Sequence, residues 1–132
     1  MSLHVCSKLS EETEVCIHAI IGAAIDVHKE LGPGYLEKTY EKAMAVELRE
    51  RDIPYRTQAF VDISYKGIKI HNQILDMIVD DKVIVEFKAV DNILKTHEAQ
   101  ILSYLKSTGL AAGLLINFNA PMIKHGIRRF VR

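Results

Sequence analysis

The stretch Ile74-Leu75-Asp76-Met77-Ile78-Val79-Asp80-Asp81-Lys82-Val83-Ile84-Val85-Glu86-Phe87-Lys88 decides the reading of this chain. Two apolar runs rich in β-branched residues flank an acidic turn, the pattern of a β-hairpin. Side chains alternate along a strand, so Glu86 and Lys88 share a face with Ile84, while Val83, Val85 and Phe87 take the other. If Ile78 lies opposite Ile84, Asp76 lies opposite Glu86. That register requires an odd loop such as Asp80-Asp81-Lys82, or a bulge. Two carboxylates and an ammonium then meet at the end of an otherwise apolar hairpin. Carboxylates that close repel unless a cation or a proton lies between them. Paired carboxylate oxygens suit a Mg²⁺ ion, and a neighbouring lysine can position a water or stabilise developing negative charge.

Outward from the hairpin, Ser10 with Glu11, Glu12 and Glu14 forms a helix start, since a serine cap and early acids satisfy the first-turn amides and dipole. Apolar residues continue at helical spacing until Gly32-Pro33-Gly34 stops the pattern. A second helix is predicted from about Glu37 to Arg51. Phe60–Tyr65 alternates as a strand, Lys66-Gly67 turns, and Ile68–Val79 and Val83–Ala89 are the next two strands. A third helix covers roughly Thr96–Ser107. Ala111–Phe118 is a continuous apolar run suited to a strand buried on both faces, and Ile127–Val131 is a short terminal strand or turn. The order α-α-β-β-β-α-β fits a three-layer α/β fold with a mixed sheet, the last strand arriving by a helical crossover. Residues 1–132 read as one domain, with 1–9 expected to be a poorly ordered lead-in.

Composition narrows the field. Equal numbers of acids and bases, 17 of each, give zero net charge. That counts against a strong sequence-independent nucleic-acid binder, though not against a site with a local basic rim. Lys124, Arg128 and Arg129, with Arg132, form an acid-free basic cluster near the C-terminus and are the candidate phosphate contacts. No apolar run approaches the roughly 20 residues that span a bilayer. Cys6 and Cys16 do not make a disulfide framework, so a reducing, cytoplasmic setting is expected. The histidines show no zinc-site spacing, which argues against zinc.

The motif D-x9-E-x-K formed by Asp76, Glu86 and Lys88 resembles the PD-(D/E)xK nuclease superfamily. Within it, Gly34-Tyr35-Leu36-Glu37-Lys38-Thr39-Tyr40 resembles the motif of the small GxxExxY proteins, and Gln100-Ile101-Leu102-Ser103-Tyr104 resembles the Q-x-x-x-Y element of RecB-type nucleases. Leu75 stands where the superfamily's name has proline. The resemblance runs from about Ser10 to Arg132 and implies a restriction-endonuclease-like core and a Mg²⁺- or Mn²⁺-dependent phosphodiesterase acting on DNA or RNA. It implies that Asp76, Glu86 and the Phe87 carbonyl hold the metal and that Lys88 orients the attacking water. Glu37 would supply a further carboxylate, and Gln100 and Tyr104 would fix the lysine, the water or a phosphate. Gly34 and Tyr40 read as structural members of their motif. The alternative is a non-catalytic nucleic-acid- or protein-binding module that keeps the fold; a homodimer or a partner protein stays open in either case.

Overall fold

The computed structural model describes residues 9–132; most of the N-terminal lead-in, residues 1–8, lies outside the described residues. Helix α1 is Glu11–Leu31 and α2 is Glu37–Glu50. Strands β1 (Tyr55–Tyr65), β2 (Ile68–Val79) and β3 (Val83–Lys88) form a meander. Helix α3 (Lys95–Thr108) crosses over to β4 (Ala112–Asn117), and one 3₁₀ turn (Ile123–Gly126) leads to β5 (Ile127–Val131). The sheet order is β1-β2-β3-β4-β5. β3 and β4 are parallel and the other neighbours antiparallel. The mixed sheet between helices is the α/β architecture expected from the sequence, consistent with a restriction-endonuclease-like fold. No described helix is long and apolar enough to cross a membrane.

Ser10 caps α1 as expected, its hydroxyl accepting from the Thr13 amide at 3.1 Å. The chain then runs through Gly34, whose φ of +114° is open to glycine but not to an L side chain, into α2. No side chain caps α2. Its start is held instead by Tyr40, which is fully buried and stacks on Phe118 with ring centroids 4.5 Å apart. The Tyr40 hydroxyl donates to the Gly32 carbonyl and accepts from the Tyr35 amide. Two of the motif residues, Gly34 and Tyr40, thus shape the loop from which Glu37 emerges.

α1 and α2 cover one face of the sheet, packing Ile17, Ile20, Met44 and Leu48 on Met77, Val79, Val83, Val85 and Phe87. α3 covers the other, with Ile101, Tyr104 and Leu105 on Leu75, Ile78, Ile84 and Leu115. Two buried clusters on opposite faces explain why β4 is buried along its whole length and reads as an unbroken apolar run.

β1 begins five residues before Phe60, at Tyr55. Tyr55-Arg56-Thr57-Gln58 is polar edge strand with most side chains in solvent, so hydrophobic alternation does not mark it. It also contains an irregularity. Tyr55 packs with the α1/α2 cluster, whereas Ala59, Val61 and Ile63 pack with the α3 cluster. On β2, Met77 belongs to the first cluster and Leu75 to the second. Regular alternation would put residues two apart on one face. The switch falls at Gln58, which has φ of +52° and lies opposite Asp76 in the register. A non-glycine residue in this region costs on the order of 1–3 kcal/mol and is held there by its surroundings.

Tyr40→Phe tests the clamp on the α1–α2 loop. It strips a part-buried carbonyl and an amide of their shared partner, so stability in urea should fall by about 1 kcal/mol. Unchanged stability would mean that water replaces the hydroxyl.

Candidate active site

The β2–β3 register pairs Met77 with Val85, Ile78 with Ile84 and Val79 with Val83. The loop is the three-residue Asp80-Asp81-Lys82, in which Asp80 and Asp81 both take positive φ and the Lys82 amide returns to the Val79 carbonyl. Asp76 therefore lies across from Glu86, as the odd loop requires. One step past the last ladder pair, the carboxylates act as acceptors for the backbone. The Asp76 amide donates to Glu86 Oε2 at 2.7 Å, and the Phe87 amide donates to Asp76 Oδ2 at 2.9 Å. Each carboxylate thus grips the backbone beside the other, and each keeps an oxygen outside this lock.

Glu86 is 5 % exposed and Asp76 half-buried. Among the described residues neither is in an ion pair. Burial, then the negative charge of Asp76, pushes the Glu86 carboxyl up to about 8, against the pull of the Asp76 amide and of Lys88. Burial also raises Asp76, with Glu41 and Glu37 adding to it; the Phe87 amide and Lys88 oppose. Lys88, half-buried at the end of β3, is the cation that both carboxylates feel. Tyr104 is 2 % exposed, and its hydroxyl is pushed up to about 12 by burial and then by Glu86 and Asp76. It faces the pair from α3.

The structure thus brings Asp76, Glu86, Lys88, Glu37 and Tyr104 into one electrostatic neighbourhood. Gln100, one turn before Tyr104, is exposed. The two adjacent C-terminal arginines part across the sheet. Arg128 and Arg129 alternate across β5: Arg128 pairs with Glu98 of α3 at 2.6 Å and Arg129 with Glu14 of α1 at 2.7 Å, on opposite faces of the sheet. Lys124 is exposed on the 3₁₀ turn.

Sequence reasoning missed Glu41. It is 8 % exposed, and its two oxygens accept from Gln58 Nε2 at 3.2 and 3.0 Å. Lys38 stands 3.7 Å away. The available signal was its place on the α2 stripe with Tyr40, Met44 and Leu48, where a carboxylate interrupts an apolar face.

A family model described as the PD-(D/E)XK nuclease superfamily matches residues 14–130, nearly the whole chain. The chain belongs to that superfamily. No curated protein and no solved structure matches it.

Members of this superfamily typically use a divalent metal. The donor set here fits one in kind: a buried and a half-buried carboxylate, neither in an ion pair among the described residues, with the Phe87 carbonyl next in the chain. Among the described residues no three His, Cys, Asp or Glu side chains gather to hold a metal by themselves. Mg²⁺ needs less, since it is commonly held by one or two carboxylates and keeps several waters.

The raised Glu86 pKa fixes a pH dependence. The folded state binds this proton more tightly than the unfolded chain does. The group's contribution to stability is therefore full below 4.5 and is lost as pH rises through about 8. Glu86→Gln removes that loss. In metal-free urea unfolding, the variant should gain about 1–3 kcal/mol on wild type between about pH 5 and about pH 8.5. A difference that does not change with pH would contradict the buried-charge description.

Proposed function

We propose that this protein is a metal-dependent phosphodiesterase of the GxxExxY group that acts on DNA or RNA. The observation that carries the reading is the buried Asp76–Glu86 pair, locked at one hairpin end and lacking an ion-pair partner. Burial raises both carboxyl groups, and the charge of Asp76 adds to it at Glu86; a bound cation would offset both effects. Asp76, Glu86 and the Phe87 carbonyl would hold Mg²⁺ or Mn²⁺, which when bound supplies Lewis-acid polarisation of a phosphoryl oxygen.

The other residues divide the remaining work. Lys88, projecting on the Glu86 side of β3, orients the attacking water and offsets charge developing on the phosphate. Glu37, at the start of α2 and close enough to raise both carboxyl groups, adds a carboxylate that can hold water at the rim. Tyr104, with its hydroxyl proton held tightly, is a hydrogen-bond donor facing Glu86. Gln100, exposed one turn earlier on α3, would meet the substrate.

Lys124, Arg128 and Arg129 remain the proposed phosphate contacts. Arg128 and Arg129 would exchange Glu98 and Glu14 for phosphate oxygens. Exposed ion pairs are worth only about 0–1 kcal/mol, so the exchange costs little.

The test is a panel of single-stranded, double-stranded and branched DNA and RNA with Mn²⁺, read for cleavage by wild type and Lys88→Met. The variant keeps the side-chain stem, and urea unfolding of both proteins checks that each is folded. Cleavage by the wild type should fall by about 10²-fold or more in the variant, as for loss of a group that handles the reacting water. No cleavage of any substrate by the wild type would favour a binding module. Equal cleavage by both proteins would remove Lys88 from the mechanism.

A further inference from the structure

Among the described residues, five that are not glycine have positive φ: Asp52, Gln58, Lys66, Asp80 and Asp81. Four of them lie in turns between elements. Gln58 alone lies within a strand. It stands opposite Asp76, at the point where β1 and β2 switch the face they present to the two cores. Asparagine and glycine adopt this conformation readily and glutamine does not, so the strand keeps a costly residue beside a site carboxylate.

The side chain supplies a reason. Gln58 reaches α2 and donates to both oxygens of Glu41. A carboxylate as buried as Glu41 needs hydrogen-bond donors. Lys38, the other group on Glu41, is largely in solvent and 3.7 Å away.

We propose that Gln58 is a positioning residue of this site: its left-handed backbone turns the β1–β2 ladder beside Asp76, and its amide fixes Glu41 as a further anion on the Asp76 side of the site. The inference rests on the metal-dependent reading above. Glu41 acts through its field and through the waters around a bound ion rather than as a ligand, since no third side chain closes on the two carboxylates. Fixing an anion there strengthens the attraction for a divalent cation without blocking the coordination positions that substrate and water require.

Mn²⁺ titration calorimetry on the full chain tests this, with Gln58→Gly, Glu41→Gln and the double variant. Glycine accepts the backbone conformation and so offsets part of the lost hydrogen bonding to Glu41; Gln58→Gly should stay folded and yet bind Mn²⁺ at least about fivefold more weakly. Gln58→Asn, which also tolerates positive φ but is one methylene too short for Glu41, should show the same loss if glycine loosens the strand. Glu41→Gln should weaken binding by a similar factor, and the double variant should be no weaker than the weaker single one, because both changes remove one interaction. Wild-type affinity in Gln58→Gly and Gln58→Asn, or losses that multiply in the double variant, would overturn the proposal.

A wild type that takes up no Mn²⁺ would instead overturn the metal reading itself. The Gln58 side-chain amide, followed by NMR in metal-free protein, separates that case. Slower solvent exchange in wild type than in Glu41→Ala supports the contact, and equal exchange refutes it.

Discussion

Two hydrogen bonds, from the Asp76 amide to Glu86 and from the Phe87 amide to Asp76, carry the organisation of this molecule. They replace ordinary ladder pairing with a carboxylate lock at the end of the β2–β3 hairpin. Burying two carboxylates together is unfavourable, and the two amides compensate only part of it; the carboxyl groups remain raised. A fold that retains such a pair in its interior is poised to accept positive charge there. The superfamily to which the chain belongs makes a divalent metal the natural candidate.

The surrounding architecture supports that pair from three directions. β3 is central, fixed by β2 on one side and by parallel β4 on the other. Phe87 anchors in the α1/α2 cluster, which sets the height of Glu86 and Lys88 along the strand. Asn117, buried opposite Lys88, ties the following loop by exchanging hydrogen bonds with both backbone groups of Val90. α2 arrives through the Tyr40 clamp and contributes Glu37 and Glu41. α3 contributes Tyr104 from the opposite face. The site thus forms where the sheet's two covering layers both reach one strand end, and no single element could build it.

Much of this was legible in the sequence, because it depends on parity. A three-residue loop between two alternating strands dictates that Asp76 faces Glu86, and a two-residue step puts Lys88 beside Ile84's side. Helix caps and Gly-Pro-Gly punctuation gave α1 its limits for equally local reasons. What escaped reading is non-local. Gln58 is a polar residue on an edge strand, and neither its left-handed φ nor its reach to Glu41 leaves a trace in hydrophobic pattern. Glu41 is one of several acids in α2, and their charge alone does not show which of them is buried. The basic C-terminal segment shows the converse: Arg128 and Arg129 are adjacent in sequence, but strand alternation sends them to opposite faces, where each meets a carboxylate from a different helix.

The central claim is that the Asp76–Glu86 pair is a cation seat. Anomalous diffraction from crystals grown with Mn²⁺ addresses it most directly, because the ion is located without reference to activity. The account predicts a peak within about 2.0–2.6 Å of an oxygen from each carboxylate and from the Phe87 carbonyl. It also predicts that the peak disappears in Asp76→Asn crystals grown in the same conditions. Full Mn²⁺ occupancy elsewhere, with the two carboxylates still gripping only each other's backbone, would contradict it.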